Sequence, residues 1–233
     1  VASDSFIQLL DESFPLELKQ IAAAEASFII SEYDRRLFSK YEIDFPAELN
    51  KAVPKRCAEF LAGRYVARHA LEQLSGTAYQ IPAAPDRSPI WPQGIIGSIS
   101  HTNTQALAMV AYARDHLLLG LDLENWMEPV LARELSDQII CPQERKLLAD
   151  SELEFHQGLT LIFSAKESLY KALFPQVKRF FGFEYARVNK IDPDSGTFVI
   201  SLTRTLTQAY PAGWQISGRY LRTADTVLTL VSD

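Results

Sequence analysis

At 233 residues, 47% of them hydrophobic and 11% aromatic, the chain is long enough to bury a substantial core, as one large domain or as two halves of about 110 residues. A net charge of −6 excludes a general nucleic-acid binder with a uniformly basic surface and leaves room for a local cationic patch. The two cysteines, Cys57 and Cys141, lie far apart without metal-ligand spacing, which argues against a zinc site and for reduced, buried thiols in a cytoplasmic protein.

No run of about 18 apolar residues is present, and the first residues lack the basic-then-apolar layout of a signal peptide, so neither a membrane partner nor export is expected. The chain begins at Val1, so further N-terminal residues are expected before it. Repeats, low-complexity tracts and long Gly/Ser linkers are absent.

The first fifty residues mix short apolar pieces with turn formers and read as short strands. Pro54 then opens a long helix that runs to about Leu74, with Gly76 beyond its end. Cys57, Phe60, Leu61, Ala67, Leu71 and Leu74 supply its buried stripe; Lys55, Arg56, Arg64, Arg68 and His69 make the remainder cationic. Such a face is usually solvated, but it also suits phosphate, and Gly63 inside the helix hints at close approach by a backbone or a ligand.

Residues 81–92 carry Pro82, Pro85, Pro89 and Pro92 and read as an extended surface loop presenting Arg87 just before Trp91. Gly97-Ser98-Ile99-Ser100-His101-Thr102 alternates as a strand, turns at Asn103-Thr104 and returns through 106–113. Its end, at Ser100, His101 and Thr102, is rich in donors able to hold phosphate oxygens.

Gly120-Leu121-Asp122-Leu123-Glu124 follows. In a strand, Leu119, Leu121 and Leu123 face one way, and Gly120, Asp122 and Glu124 the other, with the two carboxylates' Cα atoms roughly 6–7 Å apart. Hard oxygen ligands so placed suit Mg²⁺ bound together with substrate phosphates; the plainer reading is a solvated strand end. A helical region to about Leu148, broken at Cys141-Pro142, comes next.

Phe163-Ser164-Ala165-Lys166-Glu167-Ser168-Leu169-Tyr170-Lys171 reads as a short helix over 165–174, with Ser164 as N-cap and Pro175 as its end. Glu167 and Lys171 share one face of it. Ser164 with Glu167 also makes a capping box, and Glu167 with Lys171 a favourable surface ion pair. Lys178-Arg179-Phe180-Phe181 then sets two cations beside two aromatics, whose default is core packing. Four antiparallel strands are expected over 185–191, 197–202, 214–221 and 226–231. The sum is an α+β protein with mostly antiparallel sheets.

The ordered set Arg64, Arg87, Ser98 to Thr102, Gly-Leu-Asp-Leu-Glu at 120–124 and Phe-Ser-Ala-Lys-Glu-Ser-Leu-Tyr-Lys at 163–171 resembles the Sfp-type 4′-phosphopantetheinyl transferases, especially their siderophore-associated and broad-range bacterial branch. The resemblance covers about residues 54–183. It implies two pseudo-symmetric α/β halves, 1–116 and 117–233, with coenzyme A in the cleft between them and a monomer as the working unit. It further implies Mg²⁺-dependent transfer of phosphopantetheine from coenzyme A to a serine of an acyl or peptidyl carrier protein, releasing adenosine 3′,5′-bisphosphate.

Carried onto matching positions, Asp122, Glu124 and Glu167 are the implied Mg²⁺ ligands. Lys171 and Lys166 are implied at the pyrophosphate, and Arg56, Arg64, Arg87, Ser100 and His101 at the other phosphates. Asp122, Glu167 and Lys171 are the implied catalytic groups, with either Glu167 or a metal-bound water as base. Lys178, Arg179 and Phe181 are candidates for the acidic carrier. The carboxylate set alone also permits another Mg²⁺-dependent nucleotide or pyrophosphate enzyme, and the fold alone a non-catalytic carrier-binding module.

Overall fold

The computed structural model describes residues 5–10 and 19–233, and the chain divides into two compact units, Val1–Leu117 and Leu118–Asp233. Each sets a long helix on an antiparallel sheet, an α+β plan. Among the described residues no helix is long and apolar enough to cross a membrane.

The first unit contains β1 (Ile7–Leu9), β2 (Ile21–Phe28), a short α1 (Leu37–Lys40), α2 (Pro54–Ser75), β3 (Ile95–His101) and β4 (Gln105–Tyr112). Its sheet has the order β1-β2-β4-β3, antiparallel throughout. Helix α2 starts with Pro54 and ends where Gly76, at φ 72°, donates its N–H to Glu72 O at 2.8 Å. Small side chains carry the packing: Ala58, Ala62 and Ala70 of α2 share a core with Ala24 and Ala26 of β2 and Ala106 and Ala108 of β4. Close packing there lets the helix lie low on the sheet. The neighbour that Gly63 admits is a side chain, since a Cβ there would come 3.1 Å from Ile99 Cγ2.

The second unit contains β5 (Leu119–Asn125), α3 (Pro129–Ile139), α4 (Pro142–Ala149), α5 (Phe155–Val177), β6 (Ala186–Asp192), β7 (Thr197–Leu202), β8 (Gln215–Arg222) and β9 (Thr226–Ser232). The five strands are antiparallel in the order β5-β9-β8-β7-β6. Helix α5 packs on β5 and β9.

Three local expectations are corrected. Helix α5 begins at Phe155, so Ser164 is a fully buried mid-helix residue rather than a cap, and the helix runs through Pro175 to Val177. A proline so near the end lacks one N–H, but little helix remains for it to disturb, and Lys178 at φ 54° closes the turn on Phe174 O at 2.8 Å. The capping box belongs instead to α4, where Cys141 N–H donates to Glu144 Oε2 at 2.9 Å. Both cysteines are free, but Cys57 alone of the two is buried; Cys141 is half-buried.

Candidate active site

Strand β5 alternates as its sequence suggests, yet it is not a solvated strand end: every residue from Leu119 to Leu123 is buried. The cause is Gly120. A Cβ there would collide with Ser168 O and lie 2.5 Å from Ala172 N, so the missing side chain is what lets α5 close over this face of β5. Asp122, one pleat further along, is thereby 3% exposed, and Lys171 reaches across from α5 to donate from Nζ to Asp122 Oδ1 at 2.7 Å. The lysine thus makes an ion pair with the strand acid, across the two elements.

Asp122, Glu124, Glu167 and Lys171 form one electrostatic group of three acids and one cation. Burial pushes the Glu124 carboxyl up to about 8, and repulsion from Asp122 and Glu167 adds to it against the pull of Lys171. Glu167 is raised as well, first by burial and then by Asp122, again opposed by Lys171. One lysine therefore under-compensates the acids. Among the described residues no three His, Cys, Asp or Glu side chains converge into a ready-made metal cage.

Lys166 does not join this group. Its ammonium, 3% exposed, donates to Glu144 Oε2 at 2.9 Å, Ile139 O at 2.8 Å and Phe183 O at 3.3 Å, which uses all three donors. Glu144, 0% exposed, also accepts from the N–H of Val188 at 2.8 Å. The sequence reading of Lys166 as a phosphate contact is corrected by this pairing; Glu144 went unnoticed because it sits in a charged, ordinary-looking helix start.

The other phosphate candidates lie in the first unit. Arg64 is not on a solvated face: it is 7% exposed, its guanidinium stacks 4.4 Å above the Phe60 ring, and its buried Nε has no hydrogen-bond partner among the described residues. Burial, with Arg56 adding repulsion, lowers it to about 10. Arg56 is held loosely, 4.0 Å from Glu59 Oε2. Ser100 is buried and His101 half-buried at the end of β3. Arg87 is exposed at φ 70°, in a turn closed by its own N–H on Ala84 O at 2.8 Å. At the carrier candidates, Arg179 donates to Thr205 O and Leu206 O. Phe181, the carrier candidate, is 6% exposed and takes the default core place, whereas Phe180 is 80% exposed.

Two family models match the chain: the 4′-phosphopantetheinyl transferase N-terminal domain over residues 45–111, and the 4′-phosphopantetheinyl transferase superfamily over residues 118–231, which includes β5 and α5. The chain belongs to the 4′-phosphopantetheinyl transferase superfamily. Among relatives of this transferase, enterobactin synthase component D of Salmonella typhi is 35% identical over 207 residues, covering 87% of this chain and 84% of the relative. The protein of that name from Escherichia coli K12 is 45% identical over 127 residues, 54% and 59% of the two chains. The 4′-phosphopantetheinyl transferase Npt of Nocardia iowensis is 33% identical over 162 residues, 66% and 72%.

Proposed function

We propose that this transferase moves the 4′-phosphopantetheine of coenzyme A onto a serine hydroxyl of an acyl or peptidyl carrier protein, with adenosine 3′,5′-bisphosphate as the leaving group, in the assembly of a siderophore. The observation that carries the chemistry is the under-compensated acid group on β5 and α5. The pathway reading rests on the names of the relatives.

The donor set is all carboxylate oxygen, and its surplus negative charge fits a hard divalent cation; Asp122, Glu124 and Glu167 would hold Mg²⁺. Bound there, the ion would neutralise pyrophosphate oxygens and steady the departing phosphate. The chain's own groups do the rest. Lys171, already directed at Asp122, offers its ammonium to charge that develops on the pyrophosphate. Glu167, on the same face of α5 as Lys171, takes the proton of the carrier serine as its oxygen attacks phosphorus. Arg64 and Arg56 are assigned to the 3′-phosphate of coenzyme A, with Arg87, Ser100 and His101 at neighbouring phosphates. A buried guanidinium with an idle Nε is set up for an anion, and its planar fork binds phosphate bidentately. We take the monomer as the working form.

Chromatographic assay of adenosine 3′,5′-bisphosphate tests the reading. Release that requires coenzyme A, Mg²⁺ and an apo carrier protein together is expected. Release without any carrier would favour a nucleotide or pyrophosphate hydrolase, and carrier binding without turnover a docking module.

A further inference from the structure

Three hydroxyls lie together at the contact of α5 with β5 and β9: Ser164 and Ser168 of α5 and Thr229 of β9, each 0% exposed. Thr229 Oγ1 stands 2.8 Å from Ser164 Oγ and donates to Ser168 Oγ at 3.1 Å. Ser168 donates in turn to Ala165 O at 3.0 Å, and Ser164 also reaches Asp122 O at 3.3 Å. Each hydroxyl has one proton. Since Thr229 gives its proton to Ser168 and Ser168 to Ala165 O, the proton of Ser164 is shared between Thr229 Oγ1 and the Asp122 carbonyl, and the set runs in one direction.

The positions of these residues give the relay its meaning. Thr229 is the cross-strand partner of Asp122 in the β5–β9 register. Ser164 and Ser168 are one turn apart on one face of α5, and Glu167 and Lys171 each follow one of them by three residues. The same contact is the one that Gly120 opens by omitting a side chain. Methyl groups would fill that gap without fixing the helix along its own axis, because apolar contact is non-directional. Hydrogen bonds have preferred lengths and angles, so they set the register of helix against strand.

We infer that Thr229 is a positioning residue for the transfer reaction: through Ser164 and Ser168 it fixes where α5 sits on β5, and so where Glu167 and Lys171 stand relative to Asp122. The inference rests on the proposed catalytic role of that face. It assigns no contact with substrate to Thr229.

The test compares Thr229→Val, which keeps the shape and removes the hydroxyl, with Thr229→Ser, which keeps the hydroxyl and removes a methyl. With folded protein of each, Thr229→Val is expected to lose about tenfold in kcat while KM for coenzyme A stays within about twofold, and Thr229→Ser to keep at least about half of the wild-type kcat. Hydrogen exchange on metal-free protein is read alongside: amides of residues 163–174 should exchange about tenfold faster in Thr229→Val, with residues 54–75 unchanged. A wild-type kcat in Thr229→Val, or equal losses in the two variants, overturns the inference. If Thr229→Val does not fold, Ser168→Ala carries the same test, and unchanged kcat with unchanged exchange there overturns it too. If the wild-type protein transfers nothing to a carrier, the proposed function fails, and the exchange comparison still decides the role of Thr229.

Discussion

Replacing Glu124 by glutamine is expected to make the metal-free protein more stable while disabling it. The folded chain holds the Glu124 proton up to about pH 8, whereas the unfolded chain releases it near the ordinary glutamate value of 4.5. For a raised acid of this kind, the stability contribution is complete below the unfolded value and is lost as pH rises through the folded value. Between those limits ionisation favours unfolding, with a ceiling at pH 7 of about 3 kcal/mol. Glu124 is only partly buried and shares its field with Asp122, Glu167 and Lys171, so screening brings the expected gain down to about 1–2 kcal/mol. Glutamine mimics the protonated form at every pH. Thermal unfolding in EDTA should therefore show Glu124→Gln matching wild type at pH 5 and exceeding it by about 2–8 °C at pH 7.5. Added Mg²⁺ should raise the melting temperature of wild type and leave the variant nearly unmoved. A variant less stable than wild type at pH 7.5, or an offset that does not change with pH, would refute the electrostatic reasoning.

Breaking the buried Lys166–Glu144 pair by Lys166→Met should cost about 3–5 kcal/mol in denaturant unfolding, and the double change with Glu144→Leu should recover much of it; turnover per folded molecule should survive in the double variant. Arg64→Met is expected to raise KM for coenzyme A about tenfold or more and to leave KM for dephospho-coenzyme A unchanged, as steady-state kinetics with the two donors would register. Lys178→Glu combined with Phe180→Ser should raise KM for an acidic carrier several-fold without altering coenzyme A affinity; an unchanged carrier KM removes both residues from the docking surface.

The sequence spoke most clearly where single residues constrain the backbone. Pro54 and Gly76 bracket α2 because one lacks a donor and the other tolerates a left-handed turn, and β3, β4, β7 and β9 follow runs of alternating or continuous apolar residues. The start of α5 was hidden for a physical reason. Its first turns include Leu159, Thr160, Leu161 and Ile162, all buried, so no polar face marks the helical period, and Ser164 offered itself as a false cap.

The sequence places Gly120 on the face of Asp122 and Glu124 but does not reveal that its absent side chain brings α5 down upon them. The burial of Arg64 against Phe60 and of Lys166 against Glu144 was not visible, because a linear sequence does not reveal which side chain folds against a cation. Asp122, Glu124, Glu167 and Lys171 were legible as a set. Their spacing on a strand and a helix survives into the fold, while the hydroxyls that brace them depend on a strand pairing more than a hundred residues away in the chain.

The most direct measurement is the intact mass of an apo carrier protein after incubation with this protein, coenzyme A and Mg²⁺, run beside Glu167→Ala. The account requires a gain of one phosphopantetheine on the carrier, lost in EDTA and in the variant. An unmodified mass across several acyl and peptidyl carriers, with coenzyme A bound, would contradict it, as would a Glu167→Ala protein that modifies the carrier as fast as wild type.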